Sequence, residues 1–225
     1  MIGILGAMDI EIEGLRAAAP LREEKIGGHI FYTGKIGSSD VAVAKCGIGK
    51  VNAAMCCQLM ISRFSPELVI NTGVAGSLCG SLAIGDIVIA DNVCQHDFDT
   101  TALGDEPGLL PGLDLVKIPA DADAAARLCE IAARLGINYA AATVASGDCF
   151  VADAEKKRRI VDVFGAAACE MEGGAIGQVC RANGTPFAVL RALSDSADEG
   201  SCEDYPAFCR LAADRSVKIL LEFLK

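Results

Sequence analysis

"PFAVLRALSD", residues 186–195, is a nearly unbroken apolar run that ends on Ser194 and Asp195. Continuous apolar runs, unlike alternating ones, suit central strands covered on both faces. Further runs surround it: "IGILGA" at 2–7, "HIFYTGKI" at 29–36, "VAVAKCG" at 41–47, "LVINTGVAG" at 68–76, "DIVIADNV" at 86–93 and "YAAATVASGD" at 139–148. Helical patterns lie between them, clearest at 50–63, 121–135, 154–164, 171–183 and 204–224, with breaks at Gly136 and Gly184-Thr185-Pro186. Strands alternating with helices imply crossover connections and a largely parallel sheet. The runs at 29–36 and 41–47, joined through Gly37-Ser38-Ser39-Asp40, read instead as an antiparallel hairpin. The expected fold is α/β, a single domain over residues 1–225 with a central mixed, mostly parallel β-sheet flanked by helices.

A chain of 225 residues fits one sizeable core. Its 52% apolar and 22% charged residues exclude disorder, and a formal net charge of −10 would repel a nucleic acid backbone. The one basic tetrad, Lys156-Lys157-Arg158-Arg159, has acidic flanks and reads as a solvated helix face. Eleven cysteines, odd in number, irregularly spaced and with Cys56 beside Cys57, read as buried thiols of a reducing cytoplasm rather than a disulfide framework. Without a CxxC pair and with only His29 and His96, no metal ligand set is expected. The N-terminus lacks a basic region, and its apolar stretch meets Asp9 and Glu11, so neither a signal peptide nor a membrane span is expected. Residues 97–117 form one long Gly/Pro/Asp-rich connection of the kind that carries function or meets a partner.

Ligands of open α/β sheets bind beyond the carboxyl ends of the strands. The residues just past the apolar runs are Ala7-Met8-Asp9 with Glu11, Asn71-Thr72-Gly73, Ser146-Gly147-Asp148, Glu170-Met171-Glu172 and Ser194-Asp195. Several carboxylates thus converge on one edge. The glycine turns "CGIGK" at 46–50 and "NTGVAGS" at 71–77 would bring backbone N–H groups to a ligand or simply make room for packing. Neither matches a dinucleotide fingerprint or a phosphate-binding P-loop.

Seven motifs in order, "GAMDIEIEGL" at 6–15, "GIGKVNAA" at 47–54, "NTGVAGSL" at 71–78, "GDIVIADNVCQHDFD" at 85–99, "VASGDCFV" at 144–151, "CEMEGGAI" at 169–176 and "RALSDSAD" at 191–198, span nearly the whole chain. Together they resemble the 5′-methylthioadenosine/S-adenosylhomocysteine nucleosidase family of the nucleoside phosphorylase superfamily. The resemblance implies a three-layer sandwich, hydrolysis of the N-glycosidic bond of adenine thioribosides, no metal or organic cofactor, and a homodimer whose partner loop closes the 5′ side. The 97–117 connection suits that loop.

The reaction leaves positive charge on the ribose and negative charge on the purine, so it calls for an acid at the base, a base for water and support at the sugar. By resemblance Asp195 is the acid that protonates adenine N7, with Ser194 orienting it. Glu11 activates water, although Asp9-Ile10 stand where two further acids are common. Glu13 points away and reads as a solvent-facing charge. Glu172 accepts hydrogen bonds from the ribose hydroxyls and Met171 packs against the sugar. Phe150 stacks on adenine, the backbone of Val151 reads the base edge, and Ala7, Ile48, Gly76 and Arg191 line the remainder. Tyr205 and Leu103 both replace aromatic residues on the 5′ side, Leu103 at a position that reaches into the neighbouring subunit. Glu170 is expected to support the site without touching the reacting bond, and His96 to belong to a structural loop.

Two rivals follow from the same fold. A phosphate-dependent nucleoside phosphorylase would need an anion site, usually of arginines, which neither "GAMDIE" nor "NTGVAGS" supplies. A non-catalytic nucleoside-binding protein would need neither acid nor base.

Overall fold

Strands β1 (Ile2–Gly6), β5 (Leu68–Ser77) and β10 (Phe187–Asp195) are buried at every position, as their continuous apolar runs require. The structure, a computed structural model, describes residues 1–198 and 201–225, without the side chains of residues 201–204 and 207. β5 lies parallel to β1 and to β10, and β1 lies parallel to β4 (Ser39–Lys45). β3 (His29–Ile36) returns antiparallel on β4 through Gly37, whose φ of 60° lies in the left-handed region that favours glycine. β2 (Arg22–Ile26) covers β3 as an edge strand.

A second parallel group comprises β6 (Ile87–Gln95), β8 (Tyr139–Ser146) and β9 (Ala166–Glu170), with the two-residue β7 (Ile118–Pro119) beside β6. The two groups join twice. β10 runs antiparallel to β6 over Leu190–Ala192, and β5 meets β9 antiparallel through two pairs only, Gly76 with Cys169 and Ser77 with Ala168. The path from β10 through β6, β8, β9 and β5 returns to β10, while β1, β4, β3 and β2 extend from β5. Because β5 and β9 overlap only at their last residues, the carboxyl ends of both groups face one seam.

Helices cover both faces. α1 (Asp9–Ala17), α3 (Ala122–Arg134) and α6 (Ser201–Phe223) contribute Ile12, Leu128 and Ala212 to one apolar layer. α2 (Lys50–Phe64) and α5 (Gly173–Asn183) contribute Cys57, Met60 and Ile176 to the other. This is the expected α/β sandwich with a mixed sheet. α4 (Ala154–Phe164) starts at Asp153, whose side chain accepts from the Lys156 amide, and its basic tetrad is mostly exposed.

Three strands fall outside the seven runs read from the sequence. β2 is the charged edge segment "REEKI", β7 has two residues, and β9 is "AAACE", small residues without the β-branching that marks a strand. The helix expected from residue 171 begins at Gly173, with Glu172 as its N-cap, and the 97–117 connection holds one 3₁₀ turn at Thr101–Leu103. Among the described residues no helix is long and apolar enough to cross a membrane, and the ten described cysteines are free thiols.

Candidate active site

A cavity of about 440 Å³ opens at the seam where the two strand groups meet. Of the residues given a catalytic or substrate-binding role from the sequence, all but Leu103 line it: Ala7, Glu11, Ile48, Gly76, Phe150, Val151, Met171, Glu172, Arg191, Ser194, Asp195 and Tyr205. Leu103 sits in the 3₁₀ turn, 83% exposed, away from this cavity. Met8, Val74, Ala75, Cys149, Cys169 and Glu170 complete the wall. Met8 and Glu170 stand among the residues past the apolar runs, and Val74, Ala75, Cys149 and Cys169 lie inside the quoted motifs without having been given a role there.

Glu11 occupies the third position of α1 and folds back on the helix start. Its Oε2 accepts from the amides of Ala7 at 2.6 Å and Met8 at 2.9 Å, and its Oε1 from Val74 at 3.0 Å. The bond from the N-cap Met8 satisfies a donor that the helix start leaves free, as in a capping box, and Ala7 adds a second amide just before it. Burial pushes the Glu11 carboxyl pKa up, against the opposing pull of Arg191 and the three amides. Glycine at position 73 leaves room here, because a Cβ would displace Glu11 Oε1 and Arg191 Nη1. Glu13, by contrast, is exposed and pairs with Arg210.

Arg191 enters from the middle of β10, buried between the carboxylates. Its Nη2 donates to Asn71 Oδ1, to Glu170 Oε2 and, at 3.4 Å, to Glu172 Oε2, while Nη1 donates to the Val74 carbonyl at 3.2 Å. Its positive charge faces the carboxyls of Glu170, Glu172 and Glu11, which are buried around it.

Glu170 and Glu172 differ sharply. Glu170, the last residue of β9, accepts from Ser146 Oγ, from the Glu172 amide at 3.0 Å, from the Gly173 amide at 2.8 Å, and from Arg191. Its lone pairs are all directed at protein donors. Glu172 accepts only from the Gly49 amide at 2.9 Å and from the distant Arg191, so it keeps acceptor capacity toward the cavity. Desolvation, helped by Glu170 and opposed by Arg191, pushes its pKa up to about 7.

Asp195 ends β10 and is buried. Its Oδ2 accepts from Ser194 Oγ at 2.9 Å and its Oδ1 from the Ala197 amide at 2.9 Å. A Cβ on Gly76 would stand 2.9 Å from that Oδ1 and 2.9 Å from the Ala197 Cβ, so a side chain there would have to displace the carboxyl or its neighbour. Phe150, 46% exposed at the rim, meets the Tyr205 ring edge-on with centroids 5.6 Å apart, and the Tyr205 hydroxyl donates to Met8 Sδ at 3.1 Å. His96 is buried under Gly147, outside the cavity wall.

Three carboxylates in three environments around one apolar-walled cavity fit acid, base and sugar-binding work on one substrate. The model of the phosphorylase superfamily matches residues 1–225. A 5′-methylthioadenosine/S-adenosylhomocysteine nucleosidase of Geobacillus thermodenitrificans is 42% identical over 229 residues, covering 98% of this chain and 94% of that protein. The structure of the corresponding nucleosidase of Neisseria meningitidis, in complex with methylthio-immucillin-A, superposes with a TM-score of 0.96 at 35% identity, covering 100% of this chain and 98% of that one. The futalosine hydrolase of Helicobacter pylori strain 26695 gives a TM-score of 0.93 at 37% identity, covering 97% and 94%. With its entire length matched at such identity, the chain belongs to the 5′-methylthioadenosine/S-adenosylhomocysteine nucleosidase family of the phosphorylase superfamily.

Proposed function

We propose that this protein hydrolyses the N-glycosidic bond of 5′-methylthioadenosine and S-adenosylhomocysteine, releasing adenine and a 5-thio-substituted ribose. The observation that carries this reading is the set of separately held carboxylates, Glu11, Glu172 and Asp195, on one cavity. The likeness to a futalosine hydrolase supports aminodeoxyfutalosine as a further substrate.

Asp195 transfers its proton to adenine N7 as the bond between C1′ and N9 breaks, so the base leaves neutral. Ser194 and the Ala197 amide fix the carboxyl at this point. Water adds to C1′ as Glu11 takes its proton, and three backbone donors hold Glu11 in place for that step. Glu172, with acceptor capacity to spare, takes the ribose hydroxyls, and its charge supports the cationic sugar. Met171 packs against the ribose, Phe150 stacks on the purine and the Val151 backbone meets its edge. Ala7, Ile48, Gly76 and Arg191 shape the remaining wall. Tyr205 borders the 5′ substituent, and Leu103 reaches the partner's 5′ side in a homodimer closed by the 97–117 connection. No cofactor enters this sequence of steps. The cysteine pattern supports a reducing cytoplasm, and the proposed substrates would place the enzyme in methionine salvage and the methyl cycle.

Adenine release from 5′-methylthioadenosine in phosphate-free buffer tests the reading. Free methylthioribose is the expected product; a requirement for phosphate with formation of a ribose 1-phosphate would make the protein a phosphorylase. Asp195→Asn should lower kcat by about 10²–10⁴-fold while nucleoside binding persists. Undiminished turnover in that variant would remove Asp195 from the mechanism.

A further inference from the structure

A second cavity, of about 400 Å³, adjoins the first and shares Ala7, Met8 and Ile48 with it. Its other walls carry the polar side chains of Asp9, Lys45 and Asn52, with Gly47 between them. Lys45 Nζ and Asp9 Oδ2 form an ion pair of 2.7 Å, with side chains 47% and 63% exposed. Asn52 is fixed by donating from Nδ2 to the Ile48 carbonyl at 2.7 Å. Gly47, at φ 90°, turns the chain sharply past β4 without a side chain to fill this space.

With adenine against Asp195 and Phe150 and the ribose against Glu172, the 5′ end of a bound nucleoside is left facing Met8, Ile48 and Tyr205. A substituent growing from that end passes along Met8 and Ile48, the residues common to both cavities, and enters the polar one. We propose that the second cavity is a subsite for the amino-acid end of a nucleoside thioether, with its α-carboxylate on Lys45 and its α-ammonium on Asp9. This assignment rests on the functional reading above.

The chemistry matches at each step. A methylthio group ends at the apolar seam and never reaches the charged pair. A homocysteinyl group continues beyond it and ends in one positive and one negative charge, the complement of Asp9 and Lys45. Laid on the pair, the zwitterion replaces one exposed ion pair by two of opposite sense. Exposed pairs are individually weak, so opening the native one costs little and the gain is a modest selectivity rather than an absolute requirement. The subsite therefore reads the length and charge of the 5′ substituent, leaving the hydrolytic centre untouched.

The test compares kcat/KM for S-adenosylhomocysteine and 5′-methylthioadenosine, measured side by side, in the native protein and in Asp9→Asn and Lys45→Met. The ratio between the two substrates should fall by about fivefold in each variant, and 0.5 M NaCl should bring the native ratio toward that of the variants. An unchanged ratio in both variants, including equal losses on both substrates, would make the ion pair purely structural and overturn the proposal. A response to Lys45→Met alone would reject the zwitterion as well, because the ammonium would have no partner. Failure of the native protein to release adenine from either substrate would instead reject the functional reading, and this subsite with it.

Discussion

Glu170→Gln separates the two carboxylates that flank Met171. Glu170 receives Ser146 Oγ, two backbone amides and Arg191, all buried. The amide that replaces one oxygen is itself a donor, so it faces donors wherever it is turned. Breaking a buried ion pair by removing one partner costs about 3–5 kcal/mol, and a urea titration should show a loss of that size. Catalysis responds in a second, independent way. Glu170 helps to hold the Glu172 pKa near 7, and Arg191 opposes it. In the variant the first influence is gone and Arg191 is released toward Glu172, so Glu172 must ionise at lower pH. At pH 6 a group of pKa about 7 is ionised in about one molecule in ten, so with Glu172 in its proposed role its ionisation should set the acid limb of kcat/KM in the native protein. The variant's limb should shift to lower pH, raising the rate at pH 6 relative to its own plateau. A limb that stays in place or moves up, or a destabilisation below about 1 kcal/mol, would refute the assignment of Glu170 as the ion that anchors Arg191.

Gly73→Ala places a methyl group against Glu11 and Arg191, so overpacking of about 1–3 kcal/mol should accompany a fall in kcat; an alanine variant with native melting temperature and rate would show that the carboxylate has room to move. Stability should also depend on pH through Glu172. Its folded pKa of about 7 lies above its ordinary value of 4.5, so its contribution is present in full below about pH 4.5 and is lost as pH rises through about 7. The loss is on the order of 3 kcal/mol, and Glu11, also raised, adds in the same direction. Denaturant midpoints from pH 4 to 8 should fall less steeply in Glu172→Gln than in the native protein; parallel curves would contradict the raised value.

Much of the lining of the cavity could be read before the fold because its residues cluster locally in sequence. Glu11, Phe150, Glu172 and Asp195 each stand in a motif whose neighbours also build the cavity, as with Ser194 beside Asp195 and Ala7 beside Glu11. What escaped was non-local. β9 is alanine and cysteine up to its final Glu170 because it lies in a crowded seam, and small residues carry no β-propensity signal. The edge strand β2 pairs through its backbone while its charged side chains face solvent, so its composition resembles a loop. Arg191 reads in sequence as one charge within an apolar strand; only the arrival of Glu170 from β9 and Asn71 from β5 explains why it is tolerated there.

The seam also explains how one strand end yields two carboxylates with different work. β9 stops at Glu170 because its pairing with β5 has run out after two residues, and the chain must turn at once into α5. The first turn of α5 leaves amide donors free, and the Glu172 and Gly173 amides fall to Glu170, which thereby becomes the anion at the helix start. Glu172, as N-cap, makes no side-chain cap bond of its own. Its carboxylate projects away from the helix toward Gly49 and the cavity, held by one good hydrogen bond and one long one. A carboxylate that is buried, raised to about 7 and short of donors is primed to gain hydrogen bonds from a ligand, and its charge is stabilised as they form. In the proposed complex ribose hydroxyls supply those donors, so substrate binding should itself lower the Glu172 pKa. The acid limb of kcat should therefore lie at lower pH than that of kcat/KM, and coincident limbs would mean that Glu172 does not meet the sugar.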